Sequence, residues 1–176
     1  VDHPEMVLGE LTTESTQYGR EELTVAPLEG TNLADQLAEA VKHIEDQLLP
    51  LFERAAAASP KKFINLDMEE YRDLHLTLDV FRRLMMEPDL LRLRAGVAIQ
   101  TYLRESGLVL DELDAFAAAR VAAGGVPIKV RLVKGANLAM EKVQAELRGW
   151  PNPVHPTKET TDASYLRALD RCLTPE

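Results

Sequence analysis

Hydrophobic residues recur along most of the chain with two alternating periods. From Asn32, a residue suited to an N-cap, Leu33, Leu37, Val41, Ile44, Leu48, Leu51 and Phe52 fall at helical spacing, and the run closes at Ala58-Ser59-Pro60. Pro50 sits inside this run, lacks an N–H, and is expected to kink or split the helix. The pattern then predicts a strand over 63–67, a helix from about 69 to 86, a strand over 97–102, a helix from about 109 to 123, and a strand over 128–133. Gly124-Gly125 supplies the stop before the last strand. Two further amphipathic stretches, 138–147 and 161–173, are separated by Trp150-Pro151-Asn152-Pro153 and a polar loop, and no fourth clear strand follows. Residues 1–31 mix Gly, Thr, Glu and Pro without a sustained period, and only 23–26 reads as a short strand.

Short apolar strands alternating with amphipathic helices imply parallel βαβ units with right-handed crossovers, so the fold class is α/β. A closed barrel of this kind takes ~250 residues, and three parallel strands alone leave open edges. The chain opens on Val1 and closes on Leu173-Thr174-Pro175-Glu176, and the expectation is a piece of a longer chain.

Composition changes this picture little. An apolar content of 45% over 176 residues suits one folded domain with a sizeable core. The net charge of −9 arises from Asp and Glu scattered along the helical stretches, and no Lys/Arg block is present to track a phosphate backbone, so no nucleic acid partner is expected. No apolar run approaches the ~20 residues of a membrane-spanning helix and the first residues lack the pattern of a signal peptide, which makes the expected location cytoplasmic. Cys172 is the one cysteine in the sequence, has no His or Cys at ligand spacing, and reads as an ordinary helix residue; no metal site is expected.

In α/β folds the chemistry collects where strands end, which draws attention to Asp67, Gln100, Arg131 and Lys134. Strand side chains alternate, so Phe63, Asn65 and Asp67 share one face, as do Ala98 with Gln100, and Lys129 with Arg131 and Val133. Each strand can thus aim a polar group into a common mouth. A single polar strand end often meets only solvent, whereas three in succession suggest a site. Leu132 and Val133 beside Arg131 make its strand look buried, and a guanidinium there must find an acid or a phosphate; Asp67 is the obvious protein candidate. Lys134-Gly135-Ala136-Asn137 places a lysine and a small-residue turn before a helix, a geometry suited to phosphate oxygens. His155-Pro156-Thr157-Lys158 with Thr161-Asp162 at a helix start is either a second such place or an ordinary N-cap.

Four stretches together resemble one family: Phe-Ile-Asn-Leu-Asp-Met-Glu-Glu-Tyr at 63–71, Ala-Ile-Gln-Thr-Tyr at 98–102, Ile-Lys-Val-Arg-Leu-Val-Lys-Gly-Ala at 128–136, and Thr-Lys-x-x-Thr-Asp-x-x-Tyr at 157–165. They are similar to the proline dehydrogenase family, most closely the barrel domain of the bifunctional bacterial flavoenzymes of proline utilization, over roughly residues 45–176. The resemblance implies a partial (β/α)8 TIM-like barrel over 32–176 whose three strands correspond to the family's third, fourth and fifth, with a poorly defined segment over 1–31. It implies FAD at the C-terminal ends of the strands. Gln100 would bond the flavin ring, Arg131 would sit beside its reactive edge, and Val133, Lys134, Gly135 and Ala136 would line it. Lys158, Thr161 and Thr157 would hold its ribose, phosphate or adenine portion. Asp67 resembles the family's active-site acid, which organises the basic groups around the substrate.

The activity implied is oxidation of L-proline to 1-pyrroline-5-carboxylate with electrons passed to a quinone, in a homo-oligomer that associates peripherally with the inner face of a membrane. NAD would belong only to a separate aldehyde dehydrogenase domain. The pattern also departs from the family. Its preceding strand carries an active-site lysine, yet no lysine precedes Lys42 here, and 23–27 imitates that strand poorly. The family's later flavin-contacting histidine and the helix that clamps proline would lie beyond Glu176, so the chain alone is expected to be inactive. Two other readings stay open from the residues: a phosphate-binding lyase or isomerase barrel with Lys134 as a Schiff-base lysine, and a non-catalytic association module using the acidic helices at 32–58 and 111–123.

Overall fold

The first described helix, α1 (Leu33–Ala57), follows the apolar period of its sequence: Val41, Phe52 and Ala55 are buried, and Leu37, Ile44 and Leu48 pack against the same core. The computed structural model describes residues 33–60 and 62–173; Asn32 and the strand-like residues 23–26 lie outside them. Pro50 does not split α1. It sits on the exposed side, and the bond its missing N–H forgoes costs ~3 kcal/mol. Burial of Val41 and Phe52 on either side, about 1.5–3 kcal/mol each, holds both halves in place.

Three strands, β1 (Ile64–Leu66), β2 (Ala95–Gln100) and β3 (Lys129–Val133), form one parallel sheet in the order β1-β2-β3. Between them run α2 (Leu74–Met86), entered through a 3₁₀ turn at Tyr71–Asp73, and α3 (Ser106–Ala122). After β3 come α4 (Leu138–Arg148) and α5 (Lys158–Leu173). The alternation is that of an α/β fold with a partial (β/α) barrel.

Several boundaries differ from the sequence expectation, each for a local reason. The central strand starts at Ala95 and ends at Gln100, not at 97 and 102, because Ala95 and Gly96 pair with Ile64 and Asn65 despite poor strand propensity. Thr101 and Tyr102 still donate N–H bonds to the Val133 and Lys134 carbonyls, both at 2.8 Å, which explains why they resemble strand. Helix α3 begins at Ser106, three residues before the apolar period starts at Val109, and the Val109 N–H closes its first turn on Glu105 O at 3.0 Å. Helix α5 begins at Lys158 and not at Thr161.

The sheet has two unlike faces. Ile64, Leu66, Val97, Ile99, Val130 and Leu132 turn toward the helices and join a core with Leu78, Phe81, Leu84, Leu90, Leu93, Leu110 and Leu113. Phe81 and Phe116 meet edge-to-face at 6.3 Å between ring centres. The other face carries Phe63, Asn65 and Asp67, then Gly96, Ala98 and Gln100, then Lys129, Arg131 and Val133, because partners in a parallel ladder point the same way. A Cβ on Gly96 would stand 2.6 Å from Lys129 O and 2.8 Å from Asn65 Oδ1, so the strands close tightly at this layer.

Arg120, near the end of α3, has no exposed surface. Its Nε donates to Val126 O at 2.8 Å and its Nη2 to the Leu90, Leu91 and Leu93 carbonyls at 2.9, 2.8 and 3.1 Å. A guanidinium is the side chain with enough donors to serve four carbonyls from one centre. It ties the residues that enter β2 to those that enter β3, at the end of the sheet opposite the polar mouth. Among the described residues, no helix is long and apolar enough to cross a membrane.

Candidate functional site

The polar face of the sheet leads to the C-terminal ends of the strands, at or just beyond which Asp67, Gln100, Arg131 and Lys134 are placed. The register sets Arg131 against Ala98, and Asp67 is two residues past Asn65, which pairs with Gly96. Asp67 is therefore level with Arg131 on the same face. Their side chains form an ion pair, Arg131 Nη2 to Asp67 Oδ2, across the central strand. Asn65 Nδ2 donates to the other carboxylate oxygen, Asp67 Oδ1, at 2.5 Å. The sequence reading placed Arg131 in a buried strand; instead the Arg131 and Asp67 side chains are 52% and 51% exposed, because they lie in or next to the two outer strands of the described sheet, while Ala98 and Gln100 on the central strand are buried. An ion pair that open contributes about 0–1 kcal/mol, so stability does not explain its presence.

Gln100 is the buried member, at 4% exposure. Its Nε2 donates to Met68 O at 2.8 Å and to Glu69 O at 3.0 Å, while its Oε1 is buried without a hydrogen-bond partner. The two carbonyl acceptors fix the amide orientation and leave an acceptor at the mouth awaiting an N–H donor.

The turn after β3 is constrained by Gly135. Its φ is +126°, and a Cβ there would fall 2.2 Å from the Tyr102 ring, so no other residue allows the chain to lie this close. Lys134 Nζ reaches Asp162 Oδ1 at 2.6 Å, and Lys158 Nζ reaches Asp162 Oδ2 at 2.6 Å. The two lysines hold the Asp162 carboxyl below its ordinary range, and Asp162 in turn raises Lys158. Lys134 also lies 5.8 Å from the centre of the Tyr165 ring. Ala136 is exposed beside the turn, and Asn137 Nδ2 donates to Glu69 O at 2.8 Å.

Thr157 caps α5: its Oγ1 accepts the Thr160 N–H at 3.2 Å, while the Thr157 N–H donates to Thr160 Oγ1 at 3.2 Å. Thr161 Oγ1 donates to the Thr157 carbonyl at 3.2 Å. The ordinary-cap alternative thus describes Thr157, with the cap four residues earlier than the Thr161-Asp162 expected from sequence, and Asp162 is an ion-pair partner instead.

Sequence reasoning missed the roles of Asn65, Tyr102, Asp162 and Glu141. Glu141 was visible in principle, because it shares the inner stripe of α4 with Ala145, four residues on, and both are buried. Tyr102 was quoted only as part of a motif.

The C-terminal ends of the strands offer an acceptor at Gln100 Oε1 and a guanidinium fork at Arg131, and the turn after β3 with the start of α5 offers two ammonium groups around one carboxylate. That set fits a planar, hydrogen-bonding ring with a phosphorylated tail.

The model of the family described as proline dehydrogenase matches residues 7–176. The "Bifunctional protein PutA" of Rhizobium meliloti is 34% identical over 140 residues, 74% of this chain and 11% of that protein. The solved structure of Proline Utilization A (PutA) from Corynebacterium freiburgense superposes with a TM-score of 0.77 at 49% identity, covering 80% of this chain and 15% of that one. PutA from Bdellovibrio bacteriovorus, solved after inactivation by N-propargylglycine, gives a TM-score of 0.72 at 40% identity over 78% of this chain and 14% of that one. The chain spans 8% to 11% of the curated PutA relatives it matches. The motifs at the strand ends, the parallel βαβ order and a family match over nearly the whole length lead to one conclusion: the chain belongs to the proline dehydrogenase family.

Proposed function

We propose that this chain is part of an FAD-dependent enzyme that oxidises L-proline to 1-pyrroline-5-carboxylate and delivers the electrons to a quinone. The observation that supports the reading is the place of Gln100, the Arg131–Asp67 pair and Lys134 at or just beyond the C-terminal ends of neighbouring parallel strands in a member of this family. When bound, the flavin would supply an acceptor for hydride from the carbon beside the proline nitrogen.

The residues divide that work by their chemistry. Gln100 Oε1 would accept a ring N–H and so gain its missing partner. Arg131 presents a planar guanidinium fork, which suits negative charge developing at a ring edge better than a lysine would. Asp67, steadied by Asn65, orients that guanidinium and acts as a positioning residue. Val133, Lys134, Gly135 and Ala136 would line the ring, the bare Gly135 allowing close approach. Lys158 and Thr161, with Thr157 at the helix start, would hold the ribose, phosphate or adenine portion, where the N-terminus of α5 adds its partial positive charge.

The enzyme would act as a homo-oligomer in the cytoplasm, meeting its quinone at the inner face of a membrane. The Schiff-base alternative is disfavoured because Lys134 is engaged by Asp162.

The test is to purify the longest natural protein that contains this chain and to follow its flavin absorption and proline-dependent dye reduction. Bound flavin with turnover is expected; a colourless protein without turnover rejects the reading. The 176-residue chain by itself is expected to bind FAD weakly and to turn over no proline, because Arg131 is half exposed and water weakens each of its contacts.

A further inference from the structure

Glu141 has no part in the site described so far, yet it is a carboxylate with only 6% exposure, on the helix that follows the Lys134–Ala136 turn. We propose that Glu141 is a positioning residue that fixes both sides of the mouth, through the Tyr102 hydroxyl and the Tyr71 amide. The inference rests on the reading that this mouth holds a flavin.

On one side, Glu141 Oε1 faces the Tyr102 hydroxyl, which donates to it at 3.4 Å. Tyr102 is fixed at its backbone as well, donating its N–H to Lys134 O at 2.8 Å and accepting the His155 N–H at 2.7 Å. Its ring is the surface on which Gly135 lies. A tyrosine held at its backbone and its hydroxyl cannot swing away from the turn it supports. Glu141 therefore closes a circuit: the turn leads into α4, α4 carries Glu141, Glu141 holds Tyr102, and Tyr102 underlies the turn.

On the other side, the same Oε1 accepts the Tyr71 N–H at 2.7 Å, seventy residues away in sequence. Tyr71 opens the 3₁₀ turn that follows Met68 and Glu69. The carbonyls of those two residues receive the Gln100 amide, and Glu69 O also receives Asn137 Nδ2. One carboxylate thus links the segment that orients Gln100 to the turn that carries Lys134. Burial pushes the Glu141 carboxyl up, while the Tyr71 amide and the Tyr102 hydroxyl oppose that shift. Arg72 nearby also favours the charged form, and a buried acid that bonds these two groups is better explained by where it holds them than by net stability.

The test uses the purified flavoprotein and three variants, Glu141→Gln, Glu141→Ala and Tyr102→Phe, with two readouts at a temperature well below unfolding. In Glu141→Ala the flavin Kd should rise about tenfold or more, since both hydrogen bonds to the carboxylate are lost and the Tyr71 amide and Tyr102 hydroxyl are stranded. The KM for proline in the flavin-saturated variant should stay within about twofold, because no substrate contact is removed. Glu141→Gln should stay within about twofold of the parent Kd, because its amide oxygen still accepts the Tyr71 N–H. Tyr102→Phe should raise Kd by about three- to fivefold, reflecting one neutral bond lost.

The second readout, amide hydrogen exchange, needs no flavin. Glu141→Ala should speed exchange at Tyr71 and over 133–137 while leaving the α1–α2 core protected. An unchanged Kd in folded Glu141→Ala, or protection lost evenly over the whole fold, overturns the proposal. If Glu141→Ala does not fold, Tyr102→Phe decides alone: no change in Kd or exchange sinks it. A wild-type protein without flavin rejects the functional reading instead, and exchange still decides the positioning role.

Discussion

Two arginines sit at opposite ends of the sheet and follow opposite rules. Arg120, at the foot, has no exposed surface and serves four backbone carbonyls; Arg131, at the mouth, is 52% exposed and holds the side chain of Asp67. The sequence suggested the reverse, with Arg131 in a buried-looking strand and Arg120 an unremarked residue of an Ala-rich helix. In this chain the deeply buried guanidinium of Arg120 belongs to the scaffold, and the one left open at a strand end belongs to the proposed site. The physical reason is solvation: a buried guanidinium turns its donors onto the protein, as Arg120 does with Nε and Nη2 although its Nη1 finds no partner among the described residues, whereas an open one keeps donors for a ligand.

That contrast can be broken most directly at Arg120. Replacement by Met should lower the unfolding free energy by about 3–5 kcal/mol, since four carbonyls lose a shared donor in a dry place. Urea denaturation of the chain measures it, and a loss below about 1 kcal/mol would mean that water reaches those carbonyls. Gly135→Ala comes next, at about 2–4 kcal/mol, combining an unfavourable positive φ with a clash against the Tyr102 ring. A thermal midpoint unchanged in that variant would show that Tyr102 does not hold the turn closely. Arg131→Met should change stability by less than about 1 kcal/mol, as expected for an open ion pair. In the flavoprotein the same change should slow proline-dependent flavin reduction about tenfold or more, the loss expected of one charge-stabilising contact. Asp67→Ala should lower turnover while leaving flavin absorption largely intact, and loss of flavin with unfolding would make Asp67 part of the scaffold.

The smallest effect concerns pH. One source of pH-dependent stability is His75 with Glu105, 3.4 Å apart. Its bond to Glu105 raises His75 above its ordinary 6.5, a contribution present at low pH and lost as pH rises through the folded value. Its bond to His75 lowers Glu105 below its ordinary 4.5, a contribution present above that value and lost as pH falls through the folded one. The two coincide between pH 4.5 and 6.5. His75→Gln should flatten the stability profile there by a few tenths of a kcal/mol, given that the His75 side chain is 56% exposed. An unaltered profile would assign the pH dependence to other groups.

The fold was legible where one period dominates. The three strands, the helices between them and their parallel order follow from apolar spacing, and alternation along the strands correctly brought Asp67 and Arg131 to one face. Boundaries were less legible where backbone bonding, not side-chain type, decides them: Ala95 and Gly96 are strand because neighbours pair with them, and α5 starts early because Thr157 and Thr160 cap each other. Pro50 does not split its helix, and local propensity cannot weigh the burial on both sides of it. The burial of Glu141 was open to reading from the stripe of its helix, but its bond to Tyr71 and that of Asp162 to Lys134 were not, since those partners lie 70 and 28 residues away in sequence.

The bridge of Asp162 between Lys134 and Lys158 carries a further consequence. Two cations sharing one carboxylate form a site whose counter-ion is covalently tethered, leaving a net charge of one and not two for an arriving anion to meet. A phosphorylated ligand would displace a side chain more than a cloud of dissolved ions, so its affinity should fall less steeply with added salt than at two free lysines. Replacing Asp162 by Asn should steepen that salt dependence even where it strengthens binding at low salt.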